Sequence, residues 1–187
     1  MCSSDLVIFS HSSAFAKTAH IRNVPDDVLR RVKDNGGIVM VTFFHTYINE
    51  EVRIAWAEAM AAIQAMTEDP DARRALMNAR RPSLPRPTLS DVADHIDHIR
   101  DVIGVEYIGL GGDYDGMPPG PIGLEDVSTY PALLAELLRR GYSDSDVARI
   151  AGENFLRVMA DAEAVSAQLQ KAGPPSDVLI EEVDVAE

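Results

Sequence analysis

The sequence predicts a parallel α/β fold, and three observations predict it. Residues 6–9, 37–44 and 107–110 are short, nearly continuous apolar runs, the pattern of strands buried on both faces in a parallel sheet. Amphipathic helical segments separate these runs. The resulting order of strand, helix, strand, helix, strand, helix is that of a parallel α/β architecture. Three strands are too few to close a barrel and few for a stable open sheet.

Taken in chain order, Met1-Cys2-Ser3-Ser4-Asp5-Leu6 is expected to be a non-native leader, with a short native leader as the alternative. Leu6-Val7-Ile8-Phe9 then starts the first strand with nothing before it to pair with. Pro25-Asp26-Asp27 supplies good first-turn chemistry for a helix reaching Lys33, and Asn35-Gly36-Gly37 a left-handed stop. After the second strand, residues 48–77 are rich in Ala, Met and Glu and form an expected helical hairpin, broken near Asp69-Pro70. Residues 80–87, with Pro82, Pro85 and Pro87, are a stiff, exposed connector, so that about 48–86 is an insertion. Leu89, Val92, Ile96, Ile99 and Ile103 share one stripe of the next helix. Ser143 and Asp146 form a box-like start for a helix over residues 147–159. The main body is expected over residues 7–170, with an extended acidic tail at 171–187.

Composition narrows the function. With 187 residues, 46% hydrophobic and 25% charged, the chain suits one soluble globular domain. A formal net charge of -13 argues against nucleic acid as a partner, because phosphate binding needs clustered Lys and Arg. One cysteine, Cys2, excludes an internal disulfide and a multi-cysteine metal site. No stretch has transmembrane length, and residues 1–6 lack the features of a signal peptide. The acidic, cysteine-poor composition favours a soluble, bacterial-type enzyme.

Functional groups in parallel α/β folds collect at the carboxyl ends of strands, where loops meet over one open face. His11 in Phe9-Ser10-His11-Ser12-Ser13 follows a strand and could bind zinc or carry a proton; a hydrogen-bonded structural histidine is the competing reading. Gly109-Leu110-Gly111-Gly112-Asp113-Tyr114-Asp115-Gly116 follows another strand, and Asp113 could orient a metal-bound water. Its glycine spacing does not suit a dinucleotide loop and Gly116 comes too early for a calcium loop, which leaves a plain tight turn as the rival. Arg22, ahead of a helix in Arg22-Asn23-Val24-Pro25-Asp26, is placed to clamp a carboxylate, or simply covers surface. His95 and His98, beside Asp94 and Asp97, are expected off the apolar stripe on a solvated face rather than as metal ligands. His45 ends the second strand and could line the open face. A glycine-flanked serine elbow is absent.

In order and spacing, Val7-Ile8-Phe9-Ser10-His11-Ser12-Ser13-Ala14, Arg22-Asn23-Val24-Pro25-Asp26-Asp27, Asp94-His95-Ile96-Asp97-His98-Ile99 and Gly111-Gly112-Asp113-Tyr114-Asp115-Gly116 resemble the renal (membrane) dipeptidase family. Gly123-Leu124-Glu125-Asp126-Val127-Ser128-Thr129-Tyr130-Pro131 and Glu153-Asn154-Phe155-Leu156-Arg157-Val158 extend the resemblance. It implies the C-terminal part, about strands six to eight, of a (β/α)8 metal-dependent hydrolase barrel. It further implies two zinc ions bridged by water and hydrolysis of dipeptides, including those with a C-terminal D-residue. By position His11 matches a zinc ligand, Arg22 the arginine holding the substrate carboxylate, and Asp113 the aspartate that handles the proton of the bridging water. The family's His-x-Asp pair, bridging glutamate, other zinc histidine and intermediate-stabilising histidine have no counterpart here. The chain is therefore expected to be inactive alone, while a homodimer is an expected state of the full-length protein. A non-catalytic half-barrel used for binding or assembly is the alternative.

Overall fold

The structure is a computed structural model describing residues 6–117, 120–174 and 179. The leader, apart from Leu6, and most of the acidic tail lie outside the described residues.

β1 (Ile8–Ser12), β2 (Ile38–Val41) and β3 (Ile108–Leu110) form one parallel sheet in the order β1-β2-β3. Ile8 pairs with Ile38 and Val39 with Ile108, so all three strands end on the same side. β2, paired on both sides, is buried at Ile38, Val39 and Val41. β1 departs from the expectation of a strand buried on both faces. It lies two residues further along, and Val7 and Ile8 remain 39% and 43% exposed. Its second edge has no partner strand among the described residues, and solvent reaches the side chains there.

α1 (Asp26–Asn35) opens behind Pro25 and stops at Gly36, whose φ of 76° is the left-handed value that the Asn35-Gly36-Gly37 signal predicts. α2 (His45–Ile48) is one turn. α3 (Glu50–Met66) and α4 (Pro70–Arg80) are the expected hairpin, divided at Asp69, whose side chain caps α4. They share a small apolar cluster of Ala59, Ile63 and Met77 with Trp56 and Leu84, separate from the main core. The connector makes one 3-10 turn at Arg81–Ser83. α5 (Leu89–Ile103) begins with a reciprocal capping box between Thr88 and Asp91. Its Val92, Ile96, Ile99 and Ile103 are buried against β2, β3 and α1, each contributing roughly 2 kcal/mol through lost apolar surface.

α6 (Tyr130–Arg139) packs on α5 through Leu133 and Leu137. Arg140 locks the pair, donating to Asp94 and Asp97 at 2.6 Å each and to Glu136. The helix expected over residues 147–159 is two helices. α7 (Asp144–Ala148) carries the predicted Ser143–Asp146 box, a π-type turn over Arg149–Glu153 follows, and α8 (Asn154–Ala172) runs two residues into the predicted tail. The break has a visible effect. It turns the buried Asn154 inward to donate to the carbonyls of Val105 and Ile108, both at 2.8 Å. One turn on, Arg157 donates to the carbonyls of Gly36, Gly37 and Glu106. These two side chains tie α8 to the amino-terminal ends of β2 and β3, opposite the face where the candidate residues lie. No helix among the described residues is long and apolar enough to cross a membrane.

Candidate active site

Because β1 and β3 run parallel, His11 and Asp113 arrive on the same face. His11 lies within β1 rather than just past it, and its Nδ1 is 2.9 Å from the Ser10 hydroxyl. Its Nε2 faces the Asp113 carboxylate at 3.9 Å, with both side chains partly open to solvent. The loop after β3 crosses the end of β2 to make this meeting possible. A Cβ on Gly111 would stand 2.1 Å from the Ser10 carbonyl oxygen, so only glycine lets the loop close on β1. The left-handed backbone falls on Asp113 itself, at φ 65°, a conformation that short polar side chains tolerate better than most. The Gly116 amide closes the turn onto the Asp113 carbonyl at 3.0 Å.

A cleft of about 770 Å³ opens over this pair, walled by His11, Asp113, Asp115, Glu125 and Asp126. Four carboxylates around one imidazole give it a negative potential that favours cations. The Ser128 hydroxyl and amide bind the Asp126 carboxylate and hold its pKa below the usual value. An adjoining cleft of about 480 Å³ lies on the other side of His11 and contains Arg22. The structure thus brings His11 and Asp113 together and places Arg22 beside His11 in the neighbouring cleft.

The loop between His11 and Arg22 is held by residues whose roles the sequence did not disclose. Asn23 is buried; it accepts the Ser13 amide proton at 3.0 Å and donates to the carbonyls of Thr18 and Tyr47. His95 is a correction: it is 1% exposed, not on a solvated face, and its Nδ1 accepts the Ala14 amide proton at 3.0 Å. Burial pushes its pKa down to about 4, so it is the neutral imidazole that supports the loop. His98 also departs from the solvated reading, with Nε2 2.8 Å from Asp26. His20 accepts the Arg22 amide proton at 3.2 Å and stacks on Tyr47, while the Arg22 guanidinium lies 5.8 Å from that ring. His45 does not end a strand on an open face; it starts α2, buried between Phe44 and Trp56.

A metal centre needs three or four converging ligands. Among the described residues no group of three or more His, Cys, Asp or Glu could hold an ion, and His11 is the one imidazole on the acidic cleft. The chain's own residues do not fit a complete metal centre.

The family profile described as membrane dipeptidase, peptidase family M19, matches residues 2–173. Dipeptidase aclJ of Aspergillus oryzae is 42% identical over 171 residues, which cover 91% of this chain and 33% of that protein. The probable dipeptidase PvdM of Pseudomonas aeruginosa superposes with a TM-score of 0.70 at 27% identity, over 81% of this chain and 44% of that one. A metallopeptidase of Rhodobacter sphaeroides, solved with a phosphinate mimic of the dipeptide L-Ala-D-Ala, superposes with a TM-score of 0.62 at 25% identity, over 83% of this chain and 36% of that one. The chain thus spans about a third of the length of the curated relative it matches. The likeness to these structures places the three parallel strands in a barrel of the TIM type. Since the profile spans all but the ends of the sequence, the chain belongs to the membrane dipeptidase family, a family of metallopeptidases.

Proposed function

We propose that this chain supplies the substrate-carboxylate and proton-handling side of a zinc-dependent dipeptidase and does not hydrolyse dipeptides alone. The observation that carries the proposal is the meeting of His11 and Asp113 at 3.9 Å, with Arg22 in the adjoining cleft.

Each residue takes a role its surroundings allow. Arg22 is exposed and has no carboxylate within ion-pair distance among the described residues, so its guanidinium is free to hold a terminal carboxylate by two parallel hydrogen bonds. Such a clamp beside the reacting carbonyl favours dipeptides over longer chains. Asp113 is within reach of the space in front of His11 and can accept a proton from an attacking water and pass it to the leaving amine. The acidic cleft also suits the free ammonium of a dipeptide. His11 is one ligand of a zinc pair whose other ligands do not occur among the described residues. Zinc, when bound, supplies Lewis acidity and a more acidic water. The dipeptide substrate, the second zinc and a homodimer of the full-length protein belong to the same proposal.

The two chain-borne roles separate kinetically when the barrel is completed by the missing strands. Asp113→Asn should lower kcat by about 10²–10⁴-fold with KM nearly unchanged. Arg22→Gln should chiefly raise KM for L-Ala-D-Ala. Full kcat in the Asp113→Asn protein would overturn the assignment of Asp113, and an unchanged KM in Arg22→Gln that of Arg22.

A further inference from the structure

The connector over residues 80–87 carries Arg80, Arg81 and Arg86 and no carboxylate, which is unusual in a chain of net charge -13. It folds against α2 and α3, closing a cavity of about 220 Å³ lined by His45, Trp56, Arg81, Leu84, Pro85 and Arg86. The two arginines there differ. Arg86 is engaged, donating to the Gly120 carbonyl and lying 4.0 Å from Glu125. Among the described residues the Arg81 side chain has Asn78 as its one acceptor, through a terminal nitrogen at 3.1 Å. Its Nε is sealed from solvent with no hydrogen-bond partner among the described residues. A carboxylate in the cavity would therefore be held by the terminal nitrogens of the Arg81 guanidinium, which meet one side-chain acceptor among the described residues.

The walls specify the rest of the ligand. The indole of Trp56 packs 3.9 Å from the His45 ring, and Leu84, Pro82 and Pro85 complete an apolar surface. Burial and the nearby Arg81 charge push the His45 pKa down to about 4, so near neutral pH the imidazole adds no second cation. A guanidinium at one end and flat apolar walls elsewhere match a monoanion with a planar head and an apolar body; a heavily hydrated phosphate matches only the charge. We propose that this cavity binds a small carboxylate with an aromatic or otherwise apolar body, its carboxylate on Arg81 and its body against Trp56 and the prolines. Ring contacts run from Trp56 in the cavity through His45, Phe44 and Tyr47 to the Arg22 guanidinium, so an occupant would stiffen the wall beside Arg22.

Trp56 is the chain's single tryptophan, so its emission reports this cavity directly. Benzoate titrated into the chain should change that emission saturably, and benzamide, which lacks the charge, should bind at least about tenfold more weakly. Arg81→Gln should weaken benzoate by a similar factor, Arg81→Lys by less, and Arg22→Gln should leave it unchanged. Equal binding of benzoate and benzamide would overturn the proposal, and that comparison uses the unaltered chain. So would wild-type affinity in Arg81→Gln, or inorganic phosphate displacing benzoate at equal concentration. Loss of benzoate binding in Arg22→Gln would place the probe on Arg22 and overturn it as well.

Discussion

Lowering the pH should loosen the loop that carries Arg22, because its support is an imidazole that must stay neutral. His95 is 1% exposed, and its Nδ1 accepts the Ala14 amide proton at 3.0 Å. Protonation would set two N–H groups against each other in a buried site. The folded-state pKa is about 4 against 6.5 for the free side chain, with burial as the main cause. Between those values the unfolded chain takes up a proton that the folded chain refuses, so stability falls as pH falls through this window. The His95 contribution is intact above pH 6.5, and its loss is complete below about 4. The shift corresponds to about 3 kcal/mol. His45 titrates in the same direction, so the effect is isolated by difference against His95→Asn. Asparagine keeps an acceptor near the position of Nδ1 and cannot be charged. Urea unfolding followed by far-ultraviolet circular dichroism at pH 7, 5.5 and 4 gives both curves. The wild type should lose about 3 kcal/mol more than His95→Asn over this range. Parallel losses would refute the reasoning.

Asn154→Ala should destabilise the chain by about 2–4 kcal/mol, since it removes two hydrogen bonds to the buried carbonyls of Val105 and Ile108 and opens a small void. The urea midpoint at pH 7 measures this directly, and a loss below about 1 kcal/mol would mean that the two bonds do not hold α8 to the sheet. The kinetic split between Asp113→Asn and Arg22→Gln, and the benzoate titration read by Trp56, complete the set.

Much of this architecture was legible because burial leaves a periodic trace. β2 and α5 are buried against neighbours on several sides, and their apolar residues recur at the spacing their geometry demands. The caps at Gly36 and Ser143 were readable because few residue types satisfy those backbone positions. Placement of β1 was less legible, since Ser10, His11 and Ser12 continue the strand without adding an apolar signal. His95 was hidden by its polarity alone. It lies three residues after Val92 and four before Ile99, so its spacing already put it on the buried stripe of α5. Asn23, Asp26 and Asn154 were visible as parts of motifs, but their work is to join segments distant in sequence, which no local pattern reveals. The approach of His11 to Asp113 depends on the loop after β3 passing the end of β2 to reach β1, and the Arg81 cavity on a connector folding back over α2 and α3. Neither arrangement leaves a periodic signature.

The central claim is that the chain holds one side of a dipeptidase site and not a whole one. The direct test is zinc content by elemental analysis, with L-Ala-D-Ala hydrolysis, on this 187-residue chain and on the same chain joined to the missing barrel strands. The account predicts well under one zinc per molecule and no turnover for the chain alone, with about two zincs and turnover once the barrel is complete. Stoichiometric zinc and turnover in the 187-residue chain by itself would contradict it.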